Sequence, residues 1–353
     1  MDRRYRQLRH PHRQQQRQDR TNRQRRPAIN VGAPPFPKGG WGFYEIACCI
    51  LSPMFRSLLA TLILSTLALA QSPQLHTRDL LWQKMTADVT AVQQHFDGVM
   101  GITIRDLTDN REFTLNPDDI FPTASSIKLP LLVELWRQSQ TGTGQKLTDL
   151  YTFRKEDVVP DSAIMENLTP GVSKVTNRDL AGMVVAVSDN SATNVLIDRV
   201  GFDNVNKMLD AQGLHKTRLR RHMMDLAAAK AGNENVSTPH EMTQLLEAVY
   251  RGKILNPQMS EDFWNLMCTK KESPLPRLLP EDLRIANKPG ELDGVRTDSG
   301  LVFLKNRPYV ISVMTTYAAN EREASAAIAQ ISLIAYNYFH AVSISSDYGR
   351  KME

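Results

Sequence analysis

Three short polar segments carry the side chains in this sequence that could transfer an acyl group. In the first segment, Ser125 stands three residues before Lys128, and on a helix this spacing places both side chains on one face. A desolvated lysine favours its neutral form, so it could act as a base and make the serine hydroxyl a nucleophile. A solvated lysine beside a polar helix cap would produce the same spacing, so this pair alone does not establish an active site.

The second and third segments supply groups that could bind a substrate. Ser188 and Asn190 follow an apolar run, which predicts a lobe edge that faces a cleft. Ser188 could relay a proton to a leaving nitrogen, and Asn190 could hold a substrate amide. Lys288 ends a predicted strand and offers a positive charge to a carboxylate, Arg296 on the next strand could offer a second charge, and Gly290 would let a substrate approach the backbone. Ordinary turns with solvated charges are the alternative for each segment taken alone.

The hydrophobic pattern predicts an α+β fold that could position these segments. Strand-like runs lie near both ends of the chain, and the middle, roughly 140–280, is mostly helical. We expect an antiparallel sheet of about five strands, built from both chain ends and flanked by helices, with an all-helical lobe and the active site in the cleft between them. The predicted elements are a helix at 76–96, a hairpin at 102–115, a helix from Ser125, strands at 283–286, 295–304 and 309–317, and a closing helix at 321–340.

The formal net charge of +5 comes from the beginning of the chain. Residues 1–53 are a basic, low-complexity extension, whereas the remainder is mildly acidic and predicts no nucleic-acid partner. Residues 54–70 have the layout of a signal peptide, with a basic start, an apolar run and small residues at the cleavage site. We interpret Met54 as the true start and 71–353 as the catalytic domain of a secreted or periplasmic protein. A genuine arginine-rich arm that binds nucleic acid is the alternative for 1–53, and an uncleaved signal would act as a membrane anchor.

Other chemistries find no support in the sequence. No Cys/His pair has the spacing of a metal site, and we predict neither a metal nor a cofactor. No G-x-S-x-G nucleophile elbow is present, which argues against a Ser-His-Asp hydrolase. The expected partner is a small molecule, and the protein is expected to be a monomer.

The three segments and their surroundings resemble the class A β-lactamase-type serine hydrolases, which recognise penicillins. The first two segments match the S-x-x-K and S-D-N elements of that family, and the third reads Lys-Pro-Gly in place of Lys-Thr-Gly. The local sequences PTASSIKLPLL, VAVSDNSATN, STPHEM and NKPGELDGVRTDSG extend the similarity over almost all of residues 71–353. The resemblance implies an α/β lobe and a helical lobe with the site between them.

The resemblance also implies a role for each site residue. The implied roles are Ser125 as the acylated nucleophile, Lys128 as its base, Ser188 as the proton relay, Asn190 as a ligand of the substrate amide, Lys288 and Arg296 as ligands of the substrate carboxylate, and the backbone N–H groups of Ser125 and Glu291 as the oxyanion hole. The implied activity is the opening of β-lactam rings by a secreted hydrolase, through a covalent acyl-enzyme on Ser125.

Two departures from the family pattern affect the expected reaction. Pro289 replaces the threonine of the third motif, which removes a hydroxyl and a backbone N–H beside the substrate carboxylate. In the omega loop, residues 217–227, Arg221 matches the family's arginine, but Met223 occupies the position of the glutamate that activates the deacylating water, and Asp225 is the nearest carboxylate. We therefore expect acylation at Ser125, with deacylation that is either slow or carried out by another group. The alternatives are a D,D-peptidase or esterase acting on a cell-wall-like peptide, or a penicillin-binding receptor that acylates without efficient turnover.

Overall fold

The computed structural model describes residues 73–352, which is almost all of the predicted catalytic domain. The extension predicted at 1–53 and the signal peptide predicted at 54–70 lie outside the described residues. None of the described helices is both long and apolar enough to span a membrane. In chain order the elements are α1 (Pro73–Gln94), β1 (Val99–Asp106), β2 (Glu112–Leu115), β3 (Phe121–Pro122), α2 (Lys128–Thr141), β4 (Leu150–Thr152), β5 (Lys174–Thr176), α3 (Asn177–Ala186), α4 (Asn190–Val200), α5 (Phe202–Ala211), α6 (Leu226–Lys230), β6 (Val236–Ser237), α7 (Pro239–Tyr250), α8 (Pro257–Met267), β7 (Ile285–Leu292), β8 (Val295–Val302), β9 (Tyr309–Thr316) and α9 (Glu321–Ser343).

Strands from both ends of the chain form one five-stranded antiparallel sheet. Its order is β2-β1-β9-β8-β7, so the first two strands lie on one side and β7 lies at an edge. The register pairs Ile102 of β1 with Val313 of β9, and Lys288 of β7 with Ser299 of β8. The predicted α+β fold and the assembly of the sheet from both chain ends are confirmed.

Both faces of the sheet are buried because side chains alternate along each strand and helices pack on either side. Ile311 of β9 belongs to a core that α1 and α9 cover, with Trp82 and Ile331 among its members. Val310, the preceding residue, belongs to a second core built largely by the helices of the middle of the chain. In that second core Trp136 of α2 packs edge-on against a phenylalanine of α8. The helical lobe therefore shares a hydrophobic core with the sheet face that carries the third motif.

Side-chain caps begin two of the helices where the sequence predicted helix starts. The Thr176 side chain accepts a hydrogen bond from the Asp179 backbone N–H, and the Asp179 carboxylate accepts one from the Thr176 backbone in return. Thr238 caps α7 in the same way by accepting from the Glu241 N–H, and a proline opens that helix. These caps satisfy backbone N–H groups that would otherwise lack partners.

Strand β7 contains the whole third motif, which corrects the predicted boundary. The sequence placed a strand at 283–286 with Lys288–Gly290 at its end, but the strand runs from Ile285 to Leu292. The chain reverses later, at a two-residue turn in which Gly294 adopts a φ of 69°. A proline and a glycine inside the motif favoured a turn, but an edge strand tolerates both residues.

Candidate active site

Ser125 occupies a tight turn directly before α2. The sequence predicted an α-helix from this residue, but Ala124–Ile127 form a 3-10 turn and the α-helix begins at Lys128. Residues three apart are eclipsed in a 3-10 turn, so Ser125 and Lys128 still lie on the same side. Ala124 has a φ of 48°, a left-handed conformation that is uncommon for a residue with a side chain and is found often at functional sites. Ser125 is half-buried.

Buried hydroxyls hold this turn against the sheet. Ser126 Oγ lies 2.9 Å from the carbonyl oxygen of Lys288 and 2.7 Å from Thr297 Oγ1. Thr297 Oγ1 in turn donates to the carbonyl oxygen of Thr123 at 2.9 Å. These contacts connect the nucleophile turn to both β7 and β8. Ser126 and Thr297 were not identified from the sequence, because no local pattern shows that residues so far apart in the chain are in contact.

Lys128 is fully buried. Its Nζ lies 2.6 Å from the carbonyl oxygen of Ser188, 3.0 Å from Ser188 Oγ and 2.9 Å from Asn190 Oδ1. The Ser125 hydroxyl makes no hydrogen bond with the residues that the structure describes. Catalytic hydrogen bonds are often loose in a free enzyme and tighten when the substrate binds. The first two motifs are therefore joined directly through the lysine amine.

Burial shifts the charge state of both motif lysines. Burial, and after it the positive charge of Lys288, hold the pKa of Lys128 well below its ordinary value, against the opposing charge of Asp189. Burial also lowers the pKa of Lys288 to about 7, where Asp298 opposes the shift and Lys271 adds to it. A lysine with a depressed pKa exposes its lone pair at neutral pH and can accept a proton.

Ser188 links the two lysines through its hydroxyl. Lys288 Nζ donates to Ser188 Oγ at 2.9 Å, and the same oxygen lies 3.0 Å from Lys128 Nζ. When Lys128 is neutral, the Ser188 hydroxyl can donate to its lone pair while it accepts from Lys288. Ser188 also has a left-handed backbone, with a φ of 58°, and it lines the cavity at Ser125. The hydroxyl thus offers a path for a proton between the buried amine and the cavity.

The other two residues of the second motif, Asp189 and Asn190, form hydrogen bonds with the loop at 160–165. The Asp189 carboxylate caps α4 and also accepts from the N–H groups of Ile164 and Met165, both at 2.9 Å. Asn190 lines the cavity, but its Oδ1 accepts from the buried lysine of the first motif and its Nδ2 donates to the carbonyl oxygen of Pro160 at 3.2 Å. A substrate amide would therefore share the Asn190 oxygen with that lysine.

The edge of β7 directs backbone groups into the cavity. The carbonyl oxygen of Arg284 accepts from the Phe303 N–H at 3.0 Å, which makes this a hydrogen-bonded pair at the start of the β7–β8 ladder. The register continues without a bulge to the end of both strands, and hydrogen-bonded pairs alternate with non-hydrogen-bonded ones. Pro289 and Glu291 consequently direct their backbone groups away from β8. The missing N–H of Pro289 costs the ladder no bond, and the Glu291 N–H faces outward from the sheet edge.

Gly290 lets this edge approach the nucleophile turn. A Cβ atom at this position would lie 2.6 Å from Thr297 Oγ1 and 2.9 Å from the Ser125 backbone nitrogen, so no larger residue fits without a shift of the backbone. Ser125, Gly290 and Glu291 line the same cavity. The two residues whose N–H groups are expected to form the oxyanion hole therefore line one cavity.

Arg296 does not reach the cavity, which corrects its predicted contact with a substrate carboxylate. Side chains alternate along β8, so Arg296 lies on the face opposite to Thr297. There its guanidinium forms a salt bridge with Glu321 at the start of α9 and donates to two carbonyl oxygens of the β7–β8 turn. No local pattern indicated this partner, because Glu321 is distant in the chain.

The omega loop places a thioether where the family pattern has a carboxylate. The Asn194 side chain holds the Met223 backbone on both sides, since the Met223 N–H donates to Asn194 Oδ1 at 2.7 Å and the Asn194 Nδ2 donates back to the Met223 carbonyl at 3.1 Å. Met223 is buried in the cavity wall. Asp225 caps α6 by accepting from the Ala228 N–H at 2.9 Å, and it is absent from the cavity wall. No carboxylate of this loop therefore stands beside Ser125.

A cavity of about 560 Å³ connects these parts. Among the described residues no group of His, Cys, Asp and Glu side chains could hold a metal ion. Three charged residues of the wall, Asp161, Lys271 and Glu272, were not identified from the sequence, because they carry no motif. The predicted residues on the wall are Ser125, Ser188, Asn190, Lys288, Gly290 and Glu291.

Comparison with known proteins agrees with this geometry. The family model described as the beta-lactamase enzyme family matches residues 84–339. The chain is 26% identical over 261 residues to the β-lactamase SME-1 of Serratia marcescens, covering 70% of this chain and 86% of that protein. It is 27% identical over 245 residues to an imipenem-hydrolysing β-lactamase of Enterobacter cloacae, covering 67% and 82% of the two chains.

Solved structures show the same similarity. A β-lactamase of Sphaerobacter thermophilus is 28% identical, with a TM-score of 0.66, and the match covers 73% of this chain and 97% of that one. A mutant of PBP-A, solved as an acyl-enzyme complex with penicillin G, is 26% identical, with a TM-score of 0.66 and coverage of 74% and 97%. The family match spans well over half of the sequence and includes all three motifs, and the chain therefore belongs to the β-lactamase enzyme family.

Proposed function

We propose that this protein opens β-lactam rings by forming a covalent acyl-enzyme on Ser125. The observation that carries the proposal is the hydrogen-bonded chain from buried Lys128 through Ser188 to Lys288. Ser188 and Lys288 of this chain line the same cavity as Ser125. Family membership, and the penicillin acyl-enzyme reported for the related PBP-A mutant, support a small β-lactam as the substrate.

The acylation step follows from the charges and donors at the site. The Ser125 oxygen attacks the lactam carbonyl carbon, and its proton passes to the neutral Lys128 amine. The backbone N–H groups of Ser125 and Glu291 stabilise the negative charge that develops on the carbonyl oxygen. The C–N bond then breaks, and the proton reaches the leaving nitrogen through the Ser188 hydroxyl.

The omega loop supplies no carboxylate that would activate a water molecule beside the ester. Met223 fills that position in the loop, and Asp225 is occupied as a helix cap. This observation favours a second candidate function, a penicillin-binding receptor that is acylated and turns over slowly. A D,D-peptidase or esterase activity would use the same acylation step on an acyclic substrate.

Rapid-mixing kinetics with the chromogenic cephalosporin nitrocefin test the proposal. We expect a burst of about one product per protein molecule, followed by a much slower steady rate. The site has the groups that acylation needs, whereas the omega loop has no carboxylate to activate water for deacylation. A steady rate without a burst would indicate efficient hydrolysis and would remove the receptor function. Absence of both phases would contradict acylation of a β-lactam.

We also propose that the protein acts outside the cytoplasm, as a monomer. The support for export is the signal-like sequence at 54–70, and cell-wall peptides and environmental β-lactams are both met there. The N-terminal extension has no part in this proposal.

A further inference from the structure

Lys271 is a cation in the cavity wall that the proposed acylation step does not use. It lies in the loop between α8 and β7, and it lines the same cavity as Ser125 and Lys288. Lys271 is only partly exposed, and it makes no salt bridge with any carboxylate of the described residues. A positive charge in a concave site without a direct counter-ion favours an anionic ligand.

One N–H of the Lys271 ammonium group makes only a weak hydrogen bond. Its Nζ donates to the carbonyl oxygens of Met267 at 2.9 Å and Thr269 at 2.7 Å. The third contact, to Asn287 Oδ1, is 3.4 Å long, which is at the weak end of hydrogen-bond distances. A ligand oxygen could therefore take this N–H without breaking the other two bonds.

Lys271 could also have a purely structural role, as a cap at the end of α8. Met267 is the last residue of α8, and lysines often donate to the free carbonyl groups at the end of a helix. Such a cap would stabilise the fold equally whatever the substrate. A binding role, in contrast, would depend on whether the substrate carries a negative charge.

The arrangement of the other cations favours binding. Arg296, the residue expected to assist Lys288, is paired with Glu321 on the opposite face of the sheet. Lys271 and Lys288 are then the two wall lysines that lack a direct carboxylate partner among the described residues. Asp298 interacts with both lysines only through longer-range charge, while its own oxygens accept from backbone and amide donors.

We propose that Lys271 is a specificity-determining residue, which together with Lys288 selects substrates that carry a carboxylate beside the scissile bond. The proposal rests on the proposed function, because it assumes that substrates occupy the cavity at Ser125. Lys271 supplies the second positive charge that the family resemblance assigned to Arg296. It does so from the loop after α8 instead of from β8.

The binding of an anion between these lysines should also take up protons. Burial lowers the pKa of Lys271 to about 8, against the charge of Asp298. The pKa of Lys288, about 7, is lowered by burial and by Lys271, and raised by Asp298 and Glu291. A carboxylate placed beside them favours the charged forms and raises both pKa values. At pH 8 the free protein holds both lysines partly neutral, so binding draws protons from the buffer.

The experiment compares benzylpenicillin with its methyl ester, which has the same shape without the negative charge. Binding is measured by calorimetry at pH 8 in the Ser125→Ala background, where no acyl-enzyme forms. We expect Lys271→Met to weaken binding of the free acid at least tenfold and binding of the ester less than twofold. Lys271→Arg should retain most of the affinity for the acid. The matched control is Lys270→Met, an exposed neighbour that, unlike Lys271, does not line the cavity at Ser125, and it should bind both compounds like its parent.

Two results would overturn the inference. Equal losses for the acid and the ester in Lys271→Met, or no loss for either, would show that Lys271 only supports the fold. If Lys271→Met does not fold, the Ser125→Ala protein with both lysines intact still gives a decision, because acid binding in two buffers of different ionisation enthalpy must reveal the uptake of more than one proton. Uptake of one proton or less is what Lys288 alone would give, and it would contradict the role of Lys271. No uptake, or no binding of the acid at all, would contradict the proposal. Lack of acylation in the unmutated protein would instead refute the proposed function and leave this binding result unaffected.

Discussion

At the scale of single residues, the site depends on lysines whose charge is controlled by burial. Lys128 has no exposed surface and needs to be neutral to accept a proton, whereas Lys288 needs to be charged to attract a carboxylate. Both requirements are met only in a limited pH range, because burial depresses both pKa values. The S-x-x-K spacing predicted the pairing of a serine with a lysine. It could not predict this burial, which residues 60 or more positions away provide.

The charge of Lys288 predicts an alkaline limb in the rate of acylation. Its pKa is about 7, so raising the pH through this value removes the positive charge that attracts an anionic substrate. The second-order rate constant for acylation by benzylpenicillin should therefore fall above about pH 7. The penicillin methyl ester, which has no carboxylate, should lack this fall. Identical pH profiles for the acid and the ester, measured by intact-mass spectrometry over time, would contradict the role of Lys288.

The absence of a side chain at Gly290 predicts a large effect of a single methyl group. Gly290→Ala would push its Cβ to 2.6 Å from Thr297 Oγ1 and 2.9 Å from the Ser125 nitrogen. We expect an overpacking cost of about 1–3 kcal/mol in the free energy of unfolding and at least a tenfold slower acylation. Gly182→Ala is the matched control, because that helical position has no atom within 4 Å of the new Cβ. It should raise stability by about 0.5–1 kcal/mol and leave acylation unchanged, and equal acylation rates in the two variants would refute the close approach.

At the scale of elements, the omega loop decides between hydrolysis and trapping. Its backbone is fixed by Asn194 on both sides of Met223, so the loop has an ordered position from which a carboxylate could act. Met223→Glu should therefore speed deacylation at least tenfold, measured as the rate at which the penicillin adduct disappears from the mass spectrum. Met223→Gln, which has the same shape without the charge, should not.

Asp225 provides the opposite test within the same loop. Asp225→Asn keeps an oxygen for the cap of α6 and removes the charge. Deacylation should stay at the rate of the unmutated protein. A slower rate in this variant would show that Asp225 activates the water, and it would remove the argument for a receptor.

Local patterns predicted elements well where short-range physics decides them. The capping residues Thr176 and Thr238 marked helix starts correctly, because a cap acts within one helical turn. The boundary of β7 was wrong, since Pro289 and Gly290 favour turns and only the edge position of the strand lets them remain extended. The salt bridge that holds Arg296 also could not be predicted from the sequence, because it depends on how α9 packs against the sheet.

At the scale of the whole molecule, the sheet built from both chain ends explains the place of the site. Ser125 lies directly before α2, Lys288 comes from the edge strand, and Ser188 lines the same cavity and bonds to Lys288. The order of predicted helices and strands was enough to anticipate this architecture. The cavity wall, including Lys271, follows from tertiary packing and could not be read from the sequence.

Export is a property of the full chain and can be tested separately from chemistry. We expect bacterial cells that express the full sequence to deliver a protein whose N-terminus follows Ala70, since residues 54–70 have the layout of a cleaved signal. The measurement is N-terminal sequencing of the extracytoplasmic fraction. A start at Met1 in cytoplasmic protein would contradict both the export proposal and the interpretation of 1–53.

Acylation of Ser125 is tested most directly by intact-mass spectrometry of residues 71–353 exposed to benzylpenicillin. We expect the protein to gain the mass of one intact penicillin, the adduct to map to Ser125, and Ser125→Ala to gain nothing. An unmodified protein under conditions where penicillin remains intact, or an adduct that persists in Ser125→Ala, would contradict this expectation.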